Sequence, residues 1–310
     1  MKKYLKVVSS ILAASLLFAS CGGKKSASAA QVDVEPIAIN KTAFDTLVNS
    51  IGVASDEEIA ASEWASAVKK AGTLKVGGVL TSFLFSQLDE TDNKTRGFDA
   101  GIFQLLARYI LGDASKYEVT QVTSSTREAV LQSGQVDVVV ATYSITDKRK
   151  ELISFAGPYF TSRYAVLVNA GREDIKSVGS LAKKTVATQS GSTGPAILAK
   201  FAPEAVVEEF KSDIEARTAL QQKRVDAYVT DYTLLLNAIV KTPNTYKIAG
   251  GSFGSEDNYG LGLPKDSDGV AFVNAFLKKI IEEGTWEKLW KITLGDRTGI
   301  PNAPQPPHID

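Results

Sequence analysis

Arg149 ends the segment Ala141-Thr142-Tyr143-Ser144-Ile145-Thr146-Asp147-Lys148-Arg149, which brings the small hydroxyl residues Thr142 and Ser144 and a guanidinium together after an apolar run. A guanidinium is a planar fork that takes a carboxylate through two parallel hydrogen bonds. Thr142 and Ser144 add hydroxyl or backbone donors. The preceding run, Val136 to Ala141, reads as a buried strand, so the segment lies at a strand's carboxyl end, where open α/β sheets bind ligands. A second segment, Gln189-Ser190-Gly191-Ser192-Thr193-Gly194-Pro195, joins a strand to a helix. Its small residues admit a close backbone approach, and a helix start offers free N–H groups to an anion. No Gly-Lys-Ser/Thr follows, so it is not a P-loop. Asp231 ends another apolar run and offers a carboxylate to an ammonium group. Each has a plainer alternative: Arg149 pairs with Asp147 on a solvated loop, the glycine segment is a capped turn, and Asp231 caps the next helix. Together the three complement a zwitterion with one carboxylate and one ammonium.

The elements that must position these residues alternate. Leu74 to Val79 reads as a strand, Phe98 to Ile110 as a helix closed by Gly112, and Tyr117 to Thr123 as a strand. Ser125 and Glu128 have capping-box spacing before a helix that ends at Gly134, and Val136 to Ala141 follows around Asp137. The pattern restarts with a strand at Thr185 to Thr188, a helix from Pro195, a strand at Val206-Val207, and a helix opened by Ser212 and Glu215. A buried run around Asp226, assigned a structural role, completes it. This order predicts two similar α/β lobes with largely parallel sheets. Asp56 to Ala71 is expected as one helix, and Val270 to Trp290 as a helical pair broken at Gly284.

The chain has 310 residues with 35 Lys and Arg against 35 Asp and Glu, so its charge gives no reason to expect a nucleic-acid partner. Lys2, Lys3 and Lys6 precede an apolar run, Val7 to Ala19, of signal length and too short to span a membrane. Leu17-Phe18-Ala19-Ser20-Cys21 resembles a bacterial lipobox, and Cys21 is the only cysteine. We expect a lipoprotein signal over 1–21 with lipid on Cys21, a tether over 22–55, and a Pro-rich tail without packing pattern over 297–310.

The motifs Gly97-Phe98-Asp99, Leu131-Gln132-Ser133-Gly134-Gln135-Val136-Asp137, Thr142-Tyr143-Ser144-Ile145-Thr146, Arg149, Gly157-Pro158-Tyr159-Phe160 and Gly284-Thr285-Trp286 occur in this order. They resemble the extracellular solute-binding proteins that serve polar amino-acid ABC importers. The resemblance runs from about Leu74 to Gly295. It implies the class II periplasmic-binding-protein fold, two Rossmann-like lobes joined by a two-strand hinge. Lobe 1 would take 56–164 and 250–296 and lobe 2 168–246, with crossings near Tyr164–Val168 and Tyr246–Gly250. It implies that Arg149 holds an α-carboxylate with Ser144 and Thr193, and that Asp231 and Thr142 hold an α-ammonium. In Ser124-Ser125-Thr126-Arg127, the matching residues Ser124 and Arg127 would reach a side-chain carboxylate. The alternative is an exposed Arg127 beside Glu128. Gly101 stands where the family often has an acid, a change expected to affect a helix and not the site.

The expected function is capture of a polar amino acid, Glu or Asp in preference to Gln or Asn, for delivery to a membrane permease. No cofactor, metal or nucleic acid is called for, and a monomer anchored outside the cytoplasm is expected. The rival readings are a binder of basic amino acids and a cyclohexadienyl-dehydratase-like enzyme on the same scaffold. The only histidine, His308, lies in the tail, which leaves no His or Cys chemistry for a cleft.

Overall fold

The computed structural model describes residues 35–309. The expected signal with Cys21, and the part of the expected tether before residue 35, lie outside them. In chain order, α1 (Lys41–Val48), α2 (Asp56–Ala60) and α3 (Glu63–Ala71) precede β1 (Leu74–Gly78). A small antiparallel sheet follows, made of β2 (Thr81–Ser82), β3 (Ser86–Asp89) and β4 (Lys94–Arg96). Next come α4 (Phe98–Leu111), β5 (Tyr117–Gln121), α5 (Arg127–Gln132), β6 (Val138–Val139), α6 (Asp147–Lys150) and the long strand β7 (Ser154–Asn169). The second lobe holds β8 (Thr185–Gln189), α7 (Gly194–Phe201), β9 (Val206–Phe210), α8 (Asp213–Gln221), β10 (Ala227–Asp231), α9 (Tyr232–Lys241) and β11 (Tyr246–Ile248). Then β12 (Phe253–Leu263) returns to the first lobe, where α10 (Gly269–Glu282) and α11 (Thr285–Trp290) cover it.

The main sheet runs β5-β1-β6-β12-β7-β10-β8-β9. Each lobe contributes one parallel triplet with its first strand in the middle, β5-β1-β6 and β9-β8-β10. The two triplets share a device. The Asp137 carboxylate accepts from Lys75 N at 2.8 Å, and the Asp226 carboxylate accepts from Thr185 N at 2.8 Å. In both lobes the acid entering the third strand satisfies the N–H that opens the first, a group that would otherwise be left unpaired at the sheet's end. This is the structural role expected of Asp226.

Between the triplets, β7 and β12 pair from Ser154↔Leu263 to Tyr164↔Phe253. Ala165 to Val168, Tyr246 and Ala249 lie inside the second lobe's apolar clusters. The passage between lobes therefore lies at residues 161–164 and 253–258, a few residues from where the crossings were expected. The displacement follows from β7 being one unbroken strand, which pairs with β12 along its first part and with β10 and β11 along its last.

The recognisable motifs build the first lobe's core. Gly97 has φ +137, and a Cβ there would stand 2.3 Å from the Phe85 carbonyl carbon, so the turn into α4 requires glycine. Phe98 packs edge-on against Trp286, whose Nε1 donates to Tyr159 O at 2.8 Å. A Cβ on Gly101 would meet Leu289 at 2.3 Å, so the missing acid lets α4 lie close on α11, away from the cleft.

Three readings are corrected. Residues 41–48 of the expected tether form α1, which buries Phe44, Leu47 and Val48 and tethers Arg96 through Asp45. The helix expected over 56–71 is two, because Ser62 caps α3 anew and Asp268 accepts from Glu63 N and Trp64 N. The Pro-rich tail packs: Ile309 joins the first lobe's core, and Arg297 donates to Ile37 O and Phe83 O. Its prolines hid an apolar anchor with no periodicity. Ile309→Ala is expected to cost about 2 kcal/mol of unfolding free energy, the range for a truncated buried aliphatic. A urea titration reads it, and an unchanged midpoint would mean that the tail does not pack.

Candidate ligand-binding site

A cavity between the lobes is lined from the carboxyl ends of all six parallel strands. Val79 follows β1, Ser124 and Arg127 follow β5, and Thr142 and Ser144 follow β6. Thr193 follows β8, Ser212 follows β9, and Asp231 ends β10. All seven residues singled out for a ligand, Arg149, Ser144, Thr142, Thr193, Asp231, Arg127 and Ser124, border this one cavity. A strand's carboxyl end leaves the next loop free of the ladder, so side chains from sequence-distant loops converge there. Phe83, Phe85 and Tyr143 are absent from the lining, and Phe85 and Tyr143 are fully buried in the core.

The two guanidiniums share one ring. Arg127 lies over Tyr143 with 4.1 Å to the centroid, and Arg149 lies 5.0 Å from the same centroid. The electron-rich face offsets part of the cost of burying two cations together. Arg149 is 7% exposed; it donates from Nη1 to Ser144 O at 2.8 Å and from Nη2 to Gly191 O at 3.0 Å. The second bond crosses from one lobe to the other. Glu128 stands 3.4 Å from Arg149 Nε.

Neither plain alternative for the arginines is realised. Asp147 is exposed and pairs with Lys150 instead of Arg149. Arg127 is only 4% exposed, and its neighbour in sequence, Glu128, pairs with Arg149. The expected capping box at Ser125 does not form: α5 starts at Arg127 with Thr126 before it, and no side chain caps it. Arg127 donates from Nη1 to Ala141 O at 3.0 Å, while its buried Nε has no partner. Burial, and then the neighbouring Arg149, pull its pKa down to about 10.

Across the cavity, Asp231 starts α9 without accepting a capping bond, so it is not spent on the helix. It is 6% exposed and its Oδ1 has no partner. Burial and the adjacent carboxyl of Asp257 push its pKa far above the usual carboxylate range. Ser144 Oγ donates to Asp257 at 3.0 Å.

Thr142 has φ +43, an uncommon conformation for a β-branched residue. Its N–H donates to Asp99 at 2.9 Å, and Tyr159 Oη donates to the other Asp99 oxygen at 2.7 Å. Strain of this kind persists where surrounding bonds over-determine it. Asp99 is thus the post that fixes the strand-end loop, and burial raises its pKa to about 7. The motif Gly97-Phe98-Asp99 was legible, but its acid carried no assigned role. Asp257 was missed altogether, since one acid in an alternating strand gives no signal of its own.

On the far wall, Gln189 Nε2 donates to Tyr228 Oη, which donates to Asp213. Asp213 is also paired with Arg217 at 2.7 Å, so its charge is answered within the lobe. Lys211 also lines the cavity.

A family model for bacterial extracellular solute-binding proteins, family 3, matches residues 74–295. The chain is 35% identical over 228 residues to an ABC transporter glutamine-binding protein from Bacillus subtilis, covering 73% of this chain and 82% of that one. It is 29% identical over 219 residues to the glutamate-binding protein GluB of Corynebacterium glutamicum, covering 67% and 74%. Among solved structures it resembles the solute receptor for L-cysteine of Neisseria gonorrhoeae, with a TM-score of 0.73, 26% identity, and coverage of 78% of this chain and 97% of that one.

Asp99 yields a test with a definite sign. Its folded pKa of about 7 lies above the ordinary carboxyl value of 3.8, so the native state holds its proton more tightly than the unfolded chain. Its contribution is complete below the unfolded value and is lost as pH rises through about 7, by up to about tenfold in the folded-to-unfolded ratio per pH unit. Asp99→Asn is expected to flatten that part of the stability curve, as measured by urea midpoints from acidic to neutral pH. An unchanged slope would remove Asp99 as its source.

Proposed function

This chain belongs to the bacterial extracellular solute-binding proteins of family 3, and from that premise we propose that it captures an acidic L-amino acid for an ABC importer. Arg149 takes the α-carboxylate with donors from Ser144 and Thr193. Asp231 and the Thr142 segment take the α-ammonium. Arg127 and Ser124 take the side-chain carboxylate. The observation that carries the acidic preference is Arg127: a buried guanidinium bordering the cavity, with no ion pair among the described residues and an unpartnered Nε. A buried charge without a counter-ion is costly, and an incoming carboxylate relieves that cost. Lys211 adds a further positive charge to the lining, and Asp213 is already answered by Arg217. Both facts weigh against a basic ligand.

Glutamine is the second reading, favoured by the relative from Bacillus subtilis, which is named for glutamine binding. An amide oxygen also accepts from Arg127, but it brings no charge. The dehydratase-like reading is disfavoured by the lining, which holds no His or Cys among the described residues.

Binding works by closure. The ligand bridges Arg149 of one lobe and Asp231 of the other, so it interacts more strongly with closed lobes, and that difference shifts the equilibrium. The bond from Arg149 to Gly191 O ties the lobes in the same sense. A Cβ on Gly191 would stand 2.7 Å from Ser125 Cα, so glycine lets the two strand-end loops meet. A membrane permease then receives the ligand from the closed form, and lipid on Cys21 keeps the protein at the membrane.

Calorimetric titration of the purified protein, stripped of bound ligand, with Glu, Asp, Gln, Asn and Arg tests the reading. Glu or Asp is expected to bind tightest. Arg149→Ala is expected to weaken binding at least about 100-fold, the usual cost of leaving a buried partner charge unpaired. Arg127→Ala is expected to weaken Glu about 100-fold and Gln less than about tenfold, since only Glu loses a charge-assisted pair. Tighter binding of Gln or Arg in the native protein would overturn the acidic preference. Cys21→Ser is expected to move the protein from the membrane fraction to the soluble one, and retention at the membrane would count against lipid on that residue.

A further inference from the structure

We infer that Asn237 is a positioning residue that latches the two lobes: it bonds α9 of the second lobe to the turn between β2 and β3 of the first, favours closure, and so sets the affinity for every amino acid without choosing among them. The inference rests on the binding reading above and adds to it a residue outside the cavity lining.

Asn237 is 4% exposed and lies on α9, the helix that Asp231 starts. Its Oδ1 accepts from Leu84 N at 2.6 Å, and its Nδ2 donates to Ser82 Oγ at 3.2 Å. Both partners belong to the small sheet of the first lobe or its turn. Beside Asn237 on α9, Leu236 packs against the first lobe's apolar core, so this face of the helix is turned to the other lobe. An amide suits the place because one uncharged group accepts from a backbone N–H and donates to a hydroxyl. A carboxylate would bring a buried charge, and an aliphatic side chain would leave Leu84 N–H unpaired.

The turn is fixed to its own lobe and does not follow α9 when the lobes part. Leu84 O accepts from Phe98 N at 2.9 Å, and Phe85 O accepts from Ala100 N at 3.0 Å, which ties the turn to the start of α4. Arg297, itself 4% exposed, lies 3.8 Å from the Phe83 ring centroid and donates to Phe83 O at 2.6 Å. The first turn of α9 sits instead at the passage between lobes. Thr233 bonds to Ser162 Oγ at 3.2 Å and to Tyr259 Oη at 2.9 Å, both on the connecting strands. Asn237 is one helical turn further, about 6 Å along the axis. Rotation about the passage therefore moves Asn237 against a fixed partner. A hydrogen bond fails within about 1 Å of lengthening, so this pair supports closed lobes alone. Thr81 and Ser82 from one lobe and Asp231 and Leu234 from the other line the cavity, so the latch joins two segments of its wall. Apparent affinity scales with the fraction of protein in the competent state, so a latch changes it by one factor common to all ligands.

The test compares the native protein with Asn237→Ala by calorimetric titration with glutamate and with glutamine. The variant is expected to bind both about tenfold more weakly, the effect of losing a buried hydrogen bond, with the ratio between them unchanged. Unchanged affinity in a destabilised variant would make Asn237 structural only, and a loss confined to one ligand would make it a specificity residue; either overturns the latch. Amide hydrogen exchange in the native protein needs no variant. Leu84 N–H is expected to exchange more slowly with glutamate bound than without it, and equal rates overturn the inference. X-ray scattering in solution gives a readout independent of binding. Without amino acid, Asn237→Ala is expected to have a larger radius of gyration than the native protein, and equal radii overturn the latch. Failure of every amino acid to bind contradicts the binding reading, while the scattering comparison still decides the latch.

Discussion

Charge held out of water at the ends of strands is the constraint on which the rest of this protein depends. Arg127, Arg149, Asp99, Asp231 and Asp257 are all buried, yet the usual remedy of direct pairing is used only once, between Arg149 and Glu128. Each of the others is supported differently. Backbone carbonyls and the face of Tyr143 hold the guanidiniums, and Thr142 N–H and Tyr159 Oη hold Asp99. Groups that are supported by backbone dipoles, hydroxyls and a ring face, without an ion pair, remain able to interact with a ligand. A chain evolved only for stability would place apolar side chains here instead.

The scaffold makes this burial possible through repetition. Each lobe ends three parallel strands on the cleft, and each fixes its first strand by an acid entering its third, Asp137 and Asp226. The aromatic packing of Phe98, Tyr159 and Trp286 lies directly behind Asp99, so the rigidity of the core reaches the Thr142 loop. The lobes are joined by paired strands, β7 and β12, and Asp257 sits on that connection. Opposite charges on two lobes are useful only if the lobes approach, and the bond between Arg149 and Gly191 O marks where they do.

Much of this was legible in the sequence because it depends on local chemistry. Alternating strands and helices and the Ser212 cap are set by neighbouring residues; Arg149, Thr142, Ser144, Thr193 and Asp231 stand on segments that follow apolar runs, while Ser124 and Arg127 came from the family resemblance. What escaped depends on distance. Whether Arg149 meets Asp147 or Glu128 is decided by how α5 lies on α6, which spacing does not reveal. The bond from the Ser144 hydroxyl to Asp257 joins the loop after β6 to β12. The burial of Ile309 and the packing of α1 place chain ends on a core that composition alone would leave uncovered.

The central claim is that one zwitterion spans the two lobes with its side chain toward Arg127. The most direct measurement is a crystal structure of the protein grown with L-glutamate. The account requires the α-carboxylate on Arg149, the α-ammonium on Asp231, and the side-chain carboxylate on Arg127 and Ser124. A glutamate bound elsewhere, or one whose α-carboxylate sits on Arg127 and leaves Arg149 on backbone carbonyls, would contradict it.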